Sequence, residues 1–105
     1  QAQCGLQILT DLIDFGMDPQ EAVEAPRWWS FPGTDPETLG TPTQIFVESE
    51  MQDETVRNLE NMGHKVVRKA PDAGEGRVQL IIRDPQRGVM MGASDSRGDG
   101  HAAAW

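Results

Sequence analysis

The sequence predicts an α+β fold in which helices pack on a mainly antiparallel sheet. Three observations predict it. Apolar residues recur at helical spacing over residues 2–15 and 53–62. Short β-rich runs occupy 44–48, 65–68, 77–83 and 88–92. The last two runs are joined by Asp84-Pro85-Gln86-Arg87, a turn with proline preset for it, so they form a hairpin. Helices bounding hairpin-linked strands make a layered α+β arrangement.

In the first helix, Leu6, Leu9 and Ile13 follow one face, and Ile8, Leu12 and Phe15 widen it. So wide an apolar stripe implies a helix covered on more than one side. Gly16 suits the left-handed residue that closes it. A new start follows at once. Asp18 can cap free amides, Pro19 fits the first helical position, and Glu21 can complete a capping box. This helix runs from about Pro19 to Glu24, and Pro26 restricts Ala25 and ends it.

Residues 26–43 hold four prolines, two tryptophans and two glycines, and they read as an ordered loop. Trp28, Trp29 and Phe31 are costly to leave in water, and packing onto the first helices is expected of them. In the helix of residues 53–62, Val56 and Leu59 face inward and Gly63 is the stop. Residues 70–76 form a loop, and the tail from Ala93 is small and polar until Trp105.

The chain has 105 residues, enough for one small domain. Its 17 acidic and 9 basic residues give a formal charge of −8, which repels phosphate backbones and argues against nucleic-acid and anionic-membrane partners. No apolar run approaches membrane-spanning length. Cys4 is the single cysteine, so no internal disulfide is available and the compartment stays open. Gln1 is not a methionine, no signal-peptide pattern follows it, and the chain begins within what reads as a helix, which reads as a cut from something longer.

Chemistry-bearing patterns are few. His64, His101 and Cys4 lack the paired spacing of a metal site. Asp95 and Asp99-Gly100 suggest a calcium loop only faintly, because Arg97 stands where an oxygen ligand belongs. Arg97-Gly98-Asp99 reads as a polar turn whose charges pair locally, not as an adhesion signal. Gly74-Glu75-Gly76 lacks the lysine of a phosphate loop. Glu21 with Glu24, and Asp53 with Glu54, read as capping or solvated carboxylates. Cys4 has no basic neighbour in sequence, and Ser94 is not on a nucleophile elbow. The residues themselves therefore provide no catalytic, cofactor or metal site.

Two segments go beyond composition. Leu6-Gln7-Ile8-Leu9 through Ile13-Asp14-Phe15-Gly16-Met17-Asp18-Pro19-Gln20-Glu21-Ala22-Val23-Glu24-Ala25-Pro26-Arg27-Trp28 is the first. Gly92-Ala93-Ser94-Asp95-Ser96-Arg97-Gly98-Asp99-Gly100 is the second. Both resemble the C-terminal half of the small subunit of gamma-glutamyltransferases, also called gamma-glutamyl transpeptidases. Val47-Glu48, Thr55-Val56 and Gly63-His64-Lys65-Val66 fit the same order, so the resemblance covers nearly the whole chain.

The resemblance implies a partial αββα sandwich of the N-terminal nucleophile hydrolases, with residues 1–105 as one C-terminal portion. In that family a precursor cleaves itself and exposes a threonine, which attacks a gamma-glutamyl amide such as glutathione to form an acyl-enzyme. Water or an amino acid then takes the acyl group. By the same resemblance the catalytic threonine lies upstream. Thr10, Thr34, Thr38, Thr41, Thr43 and Thr55 match no catalytic position. The helix of residues 2–15 stands behind the oxyanion loop, its N-terminal dipole towards that site. Ser96, where the family often has proline, and the Ala103-Ala104-Trp105 ending are departures that leave substrate preference open between gamma-glutamyl transfer and acylase chemistry.

The expected partner is the missing N-terminal part of the same enzyme, with self-association of the isolated chain through a bared sheet face. A free-standing binding module is the second reading. The resemblance admits a periplasmic or secreted setting as well as a cytoplasmic one.

Overall fold

A computed structural model describes residues 2–33, 36–73 and 76–103. It holds α1 (Ala2–Ile13), α2 (Pro19–Glu24), β1 (Trp28–Phe31), β2 (Gln44–Glu48), α3 (Asp53–Asn61), β3 (Val66–Lys69), β4 (Gln79–Asp84) and β5 (Val89–Ser94), with single 3-10 turns at Pro36–Thr38 and Pro71–Ala73. The α+β class holds. The chain divides into two compact units, one of residues 1–25 and 75–105, the other of residues 26–74.

In the first unit, β4 and β5 pair antiparallel, with Leu80 opposite Ala93 and Ile82 opposite Met91. Their turn is held by the Asp84 carboxylate, which accepts from the amides of Gln86 and Arg87. α2 packs on this hairpin and α1 packs on α2. The core is Ile8, Val23 and Ala93, with Cys4, Leu12, Val78 and Leu80 packed around it. Val23 is fully buried. The two helices join tightly because Gly16 adopts φ +64°, open to glycine without a Cβ penalty. Asp18 then caps α2, its Oδ1 accepting from the Gln20 amide at 2.9 Å, and Pro19 sits at the first helical position. These two features lie where the sequence places them.

In the second unit the sheet order is β1-β2-β3, antiparallel between β1 and β2 and parallel between β2 and β3. A parallel pair needs a crossover, which α3 supplies. Val47 and Val56 are its buried apolar residues. Arg68 braces the crossover by donating to the carbonyls of Ser49 and Met51, both at 2.7 Å, and by pairing with Asp53. Asp53 is the solvated carboxylate expected, 87% exposed, and it also partners Arg68.

One expectation is corrected. Residues 28–31 are not loop but a strand, pairing Trp29 with Phe46 and Ser30 with Ile45. Trp29 meets the Phe46 ring edge-on at 5.6 Å, Phe31 stacks on it at 5.0 Å, and Lys69 Nζ lies 4.7 Å from its centroid. The aromatic pairing across strands is what holds this four-residue strand. The flanking prolines, Pro26 and Pro32, made the stretch look like loop. Strand ends also shift by one or two residues: β3 begins at Val66, and β4 at Gln79.

Val23 fills the centre of the first core, so Val23→Ala leaves a cavity there. We expect a loss of roughly 2 kcal/mol in unfolding free energy, read as a lower urea midpoint.

Candidate functional site

Two buried acids, Asp95 and Glu48, one buried cation, Arg27, and the side chain of Arg97, only 7% exposed, are the charged groups withdrawn from water among those described. Burying charge is costly unless it is paired and hydrogen-bonded, so each marks a position the fold has to satisfy.

Asp95 lies just past β5 and is fully buried. Its Oδ2 accepts from the Val78 amide at 3.1 Å, and its Oδ1 accepts from the Arg97 amide at 3.0 Å and from Arg97 Nη1 at 3.1 Å. Its own amide donates to the Val78 carbonyl at 3.0 Å. Asp95 therefore ties the exit of β5 to the approach to β4.

Arg97 reaches from there to the end of α2. Nη1 donates to the Val23 carbonyl at 2.9 Å, and Nη2 donates to the carbonyls of Glu24 and Ala25 at 3.2 and 3.0 Å. Terminal helix carbonyls lack intrahelical partners and carry the negative end of the dipole, so a cation is well placed there. α2 has no basic residue in its own last turn, and the tail supplies one. Gln20 adds a second tie: its Nε2 donates to the Ser94 carbonyl at 2.9 Å and its Oε1 accepts from the Ser94 amide at 3.2 Å. The tail passes so near the hairpin that a Cβ on Gly100 would fall 2.3 Å from Gln79 Nε2.

In the other unit, Glu48 Oε2 accepts from the Arg27 amide at 2.9 Å, while the Glu48 amide donates to the Arg27 carbonyl at 2.9 Å. The carboxylate thereby anchors the entry to β1.

These groups are arranged for holding rather than for reaction. The Asp95 carboxylate and Arg97 guanidinium are both spent on backbone groups and on each other. The local pairing expected of Arg97 is present, with Asp95 as the partner. Its burial and its reach to α2 were missed. The available signal was a lone Asp-x-Arg in an otherwise small, polar tail, after a helix that lacks a C-terminal cation.

The remaining candidates are dispersed. Cys4 is a half-buried core neighbour, 3.4 Å from where a Gly76 Cβ would stand. Ser94 is held on β5 through its backbone, and its Oγ is buried without a hydrogen bond. Asp11, on α1, has its carboxyl raised above the ordinary aspartate range by burial. Glu24 accepts from Gln20 Nε2 at 2.8 Å. His64 and His101 are exposed and lie in different units. Among the described residues no three His, Cys, Asp or Glu side chains group as a metal would require, and no helix is long and apolar enough to cross a membrane. Thr34, Gly74, Glu75, Ala104 and Trp105 lie outside the described residues.

The profile of the family described as Gamma-glutamyltranspeptidase matches residues 1–105. The chain is 35% identical over 105 residues to the "Glutathione hydrolase-like YwrD proenzyme" of Bacillus subtilis (strain 168), covering 97% of this chain and 19% of that protein. It is 35% identical over 99 residues to the "Acylase ACY 1 proenzyme" of Pseudomonas sp. (strain V22), covering 94% and 15%. Among solved structures, cephalosporin acylase from Bacillus halodurans superposes with a TM-score of 0.83 at 36% identity, over 100% of this chain and 18% of that one. A mutant gamma-glutamyltranspeptidase from Helicobacter pylori gives 0.69 at 26% identity, over 92% and 48%. The chain thus spans less than a fifth of the length of the curated relatives it matches.

Removing one partner of a buried, hydrogen-bonded charge pair leaves the other uncompensated. Asp95→Asn is expected to lower unfolding free energy by about 3 kcal/mol or more, with Arg97→Met comparable, in urea titrations followed by circular dichroism.

Proposed function

This chain belongs to the gamma-glutamyltranspeptidase family, and on that premise we propose that it is the C-terminal structural portion of an amide-cleaving or gamma-glutamyl-transferring enzyme, catalytically incomplete by itself. The observation that carries this reading is the match of nearly the whole chain, 97% and 94%, to under a fifth of each curated relative. In the complete enzyme, an upstream threonine bearing a free amine would attack the amide carbonyl, its own amine taking the proton. Backbone amides would hold the tetrahedral oxyanion, and water or an amine would release the acyl group. The contribution of residues 1–105 is to hold the wall behind that chemistry. α1 stands behind the oxyanion loop, and the Asp95–Arg97 tie keeps α2 and the hairpin in register beneath it. The missing upstream part of the same enzyme is the partner.

An acylase is the second reading. It is favoured by the higher superposition on a cephalosporin acylase, 0.83 against 0.69, and by the curated acylase relative.

Incubated with a gamma-glutamyl anilide, the chain alone is expected to release no product, while the complete encoded protein releases it. Turnover by the chain alone would overturn the reading. A cephalosporin-type amide offered alongside separates the two substrate classes by relative kcat/KM. The same reading expects the isolated chain to self-associate through apolar residues exposed on β4 and β5, Ile81 and Met90 among them. Sedimentation velocity should show species above the monomer mass.

A further inference from the structure

α1 has three sectors, not two. Ile8, Cys4 and Leu12 lie on the side that packs into the core. Gln3, Gln7, Thr10 and Asp11 form the polar side. Ala2, Leu6, Leu9 and Ile13 form a third, about a third of a turn from Ile8 at roughly 100° per residue. This third sector is apolar yet faces outward: Leu6 is 65%, Leu9 53% and Ile13 75% exposed. A helix that ended its burial at one face would present polar residues everywhere else. Here the polar sector lies on another side, so solvent is not what the stripe is shaped for.

We propose that the stripe Ala2, Leu6, Leu9 and Ile13 is a docking face for the upstream portion of the same polypeptide, the part that its relatives carry outside the matched fifth. This rests on the reading of the chain as an enzyme portion. The length of the relatives beyond the match supplies an occupant within one polypeptide. The stripe itself describes that occupant. It carries no charge and repeats at i, i+3 and i+7, the spacing by which one helix lies along another. Its partner is an uncharged apolar helix face. A lipid surface fits poorly, because α1 has no lysine or arginine to meet anionic headgroups, and it carries Asp11. A second copy of the chain is the remaining occupant, and the experiment separates it.

Hydroxyl-radical footprinting of the 105-residue chain and of the complete encoded protein, at matched low concentration, reads side-chain exposure directly. Labelling of Leu9 and Ile13 is expected to fall at least about fivefold in the complete protein. Leu39, 83% exposed in the other unit, is the reference for labelling dose. Equal labelling of Leu9 and Ile13 in both samples would overturn the proposal while leaving the enzyme reading intact. Protection that appears in the short chain alone as its concentration rises would assign the stripe to a second copy and overturn it too. A complete protein with no activity on any gamma-glutamyl or acyl amide would strike the enzyme reading instead. The double variant Leu9→Glu/Ile13→Glu gives an independent check. It should lower the melting temperature of the complete protein and leave that of the short chain unchanged, and the milder Leu9→Ala/Ile13→Ala should do the same to a smaller degree.

Discussion

The first unit depends on one buried ion pair. Asp95 and Arg97 are two residues apart, yet between them they hold the approach to β4, the exit of β5 and the end of α2. Each is withdrawn from water, so each would be a liability without the other. A carboxylate with several donors and a guanidinium with several carbonyls together satisfy the backbone that a short, six-residue helix leaves open. The hydrophobic core of this unit is small, with Ile8, Val23 and Ala93 at its centre. In so small a core, directional bonds at the tail decide how the helix lies on the hairpin.

The second unit rests on different physics. Its three strands are short, and aromatic packing across β1 and β2 supplies what length does not. Glu48 and Arg68 serve the joints, one at the entry to β1 and the other at the turn before α3. In both units, then, buried or braced charges sit at the junctions between elements and apolar side chains sit inside them. That division fixes the relative placement of backbone segments within each unit.

Much of the local structure was legible in the residues. Asp18-Pro19 announced a helix start, Gly16 and Gly63 announced stops, and Asp84-Pro85 announced a hairpin, because each is a local steric or hydrogen-bonding preference that neighbours in sequence satisfy. The strand at Trp28–Phe31 was not legible, because its partner, Gln44–Glu48, lies beyond a proline-rich stretch and strand pairing is a long-range event. The parallel β2–β3 pairing was hidden for the same reason. The Asp95–Arg97 tie was half legible: local charge pairing could be read, but burial and the reach to α2 span 72 to 74 positions.

The amino-acid sequence by itself determined the helices to within two residues at their ends, the hairpin turn, the α+β class and the membership of a family, since these follow from periodicity, turn chemistry and shared motifs. Tertiary structure alone decided that the strands divide into two sheets, that the side chains of Asp95 and Arg97 are buried, and that within the wide apolar stripe of the first helix Ile8 is covered while Leu6, Leu9 and Ile13 are exposed. The physical reason is that periodicity shows which residues are apolar and on which side of a helix they lie, whereas burial is set by what other segments bring against that side.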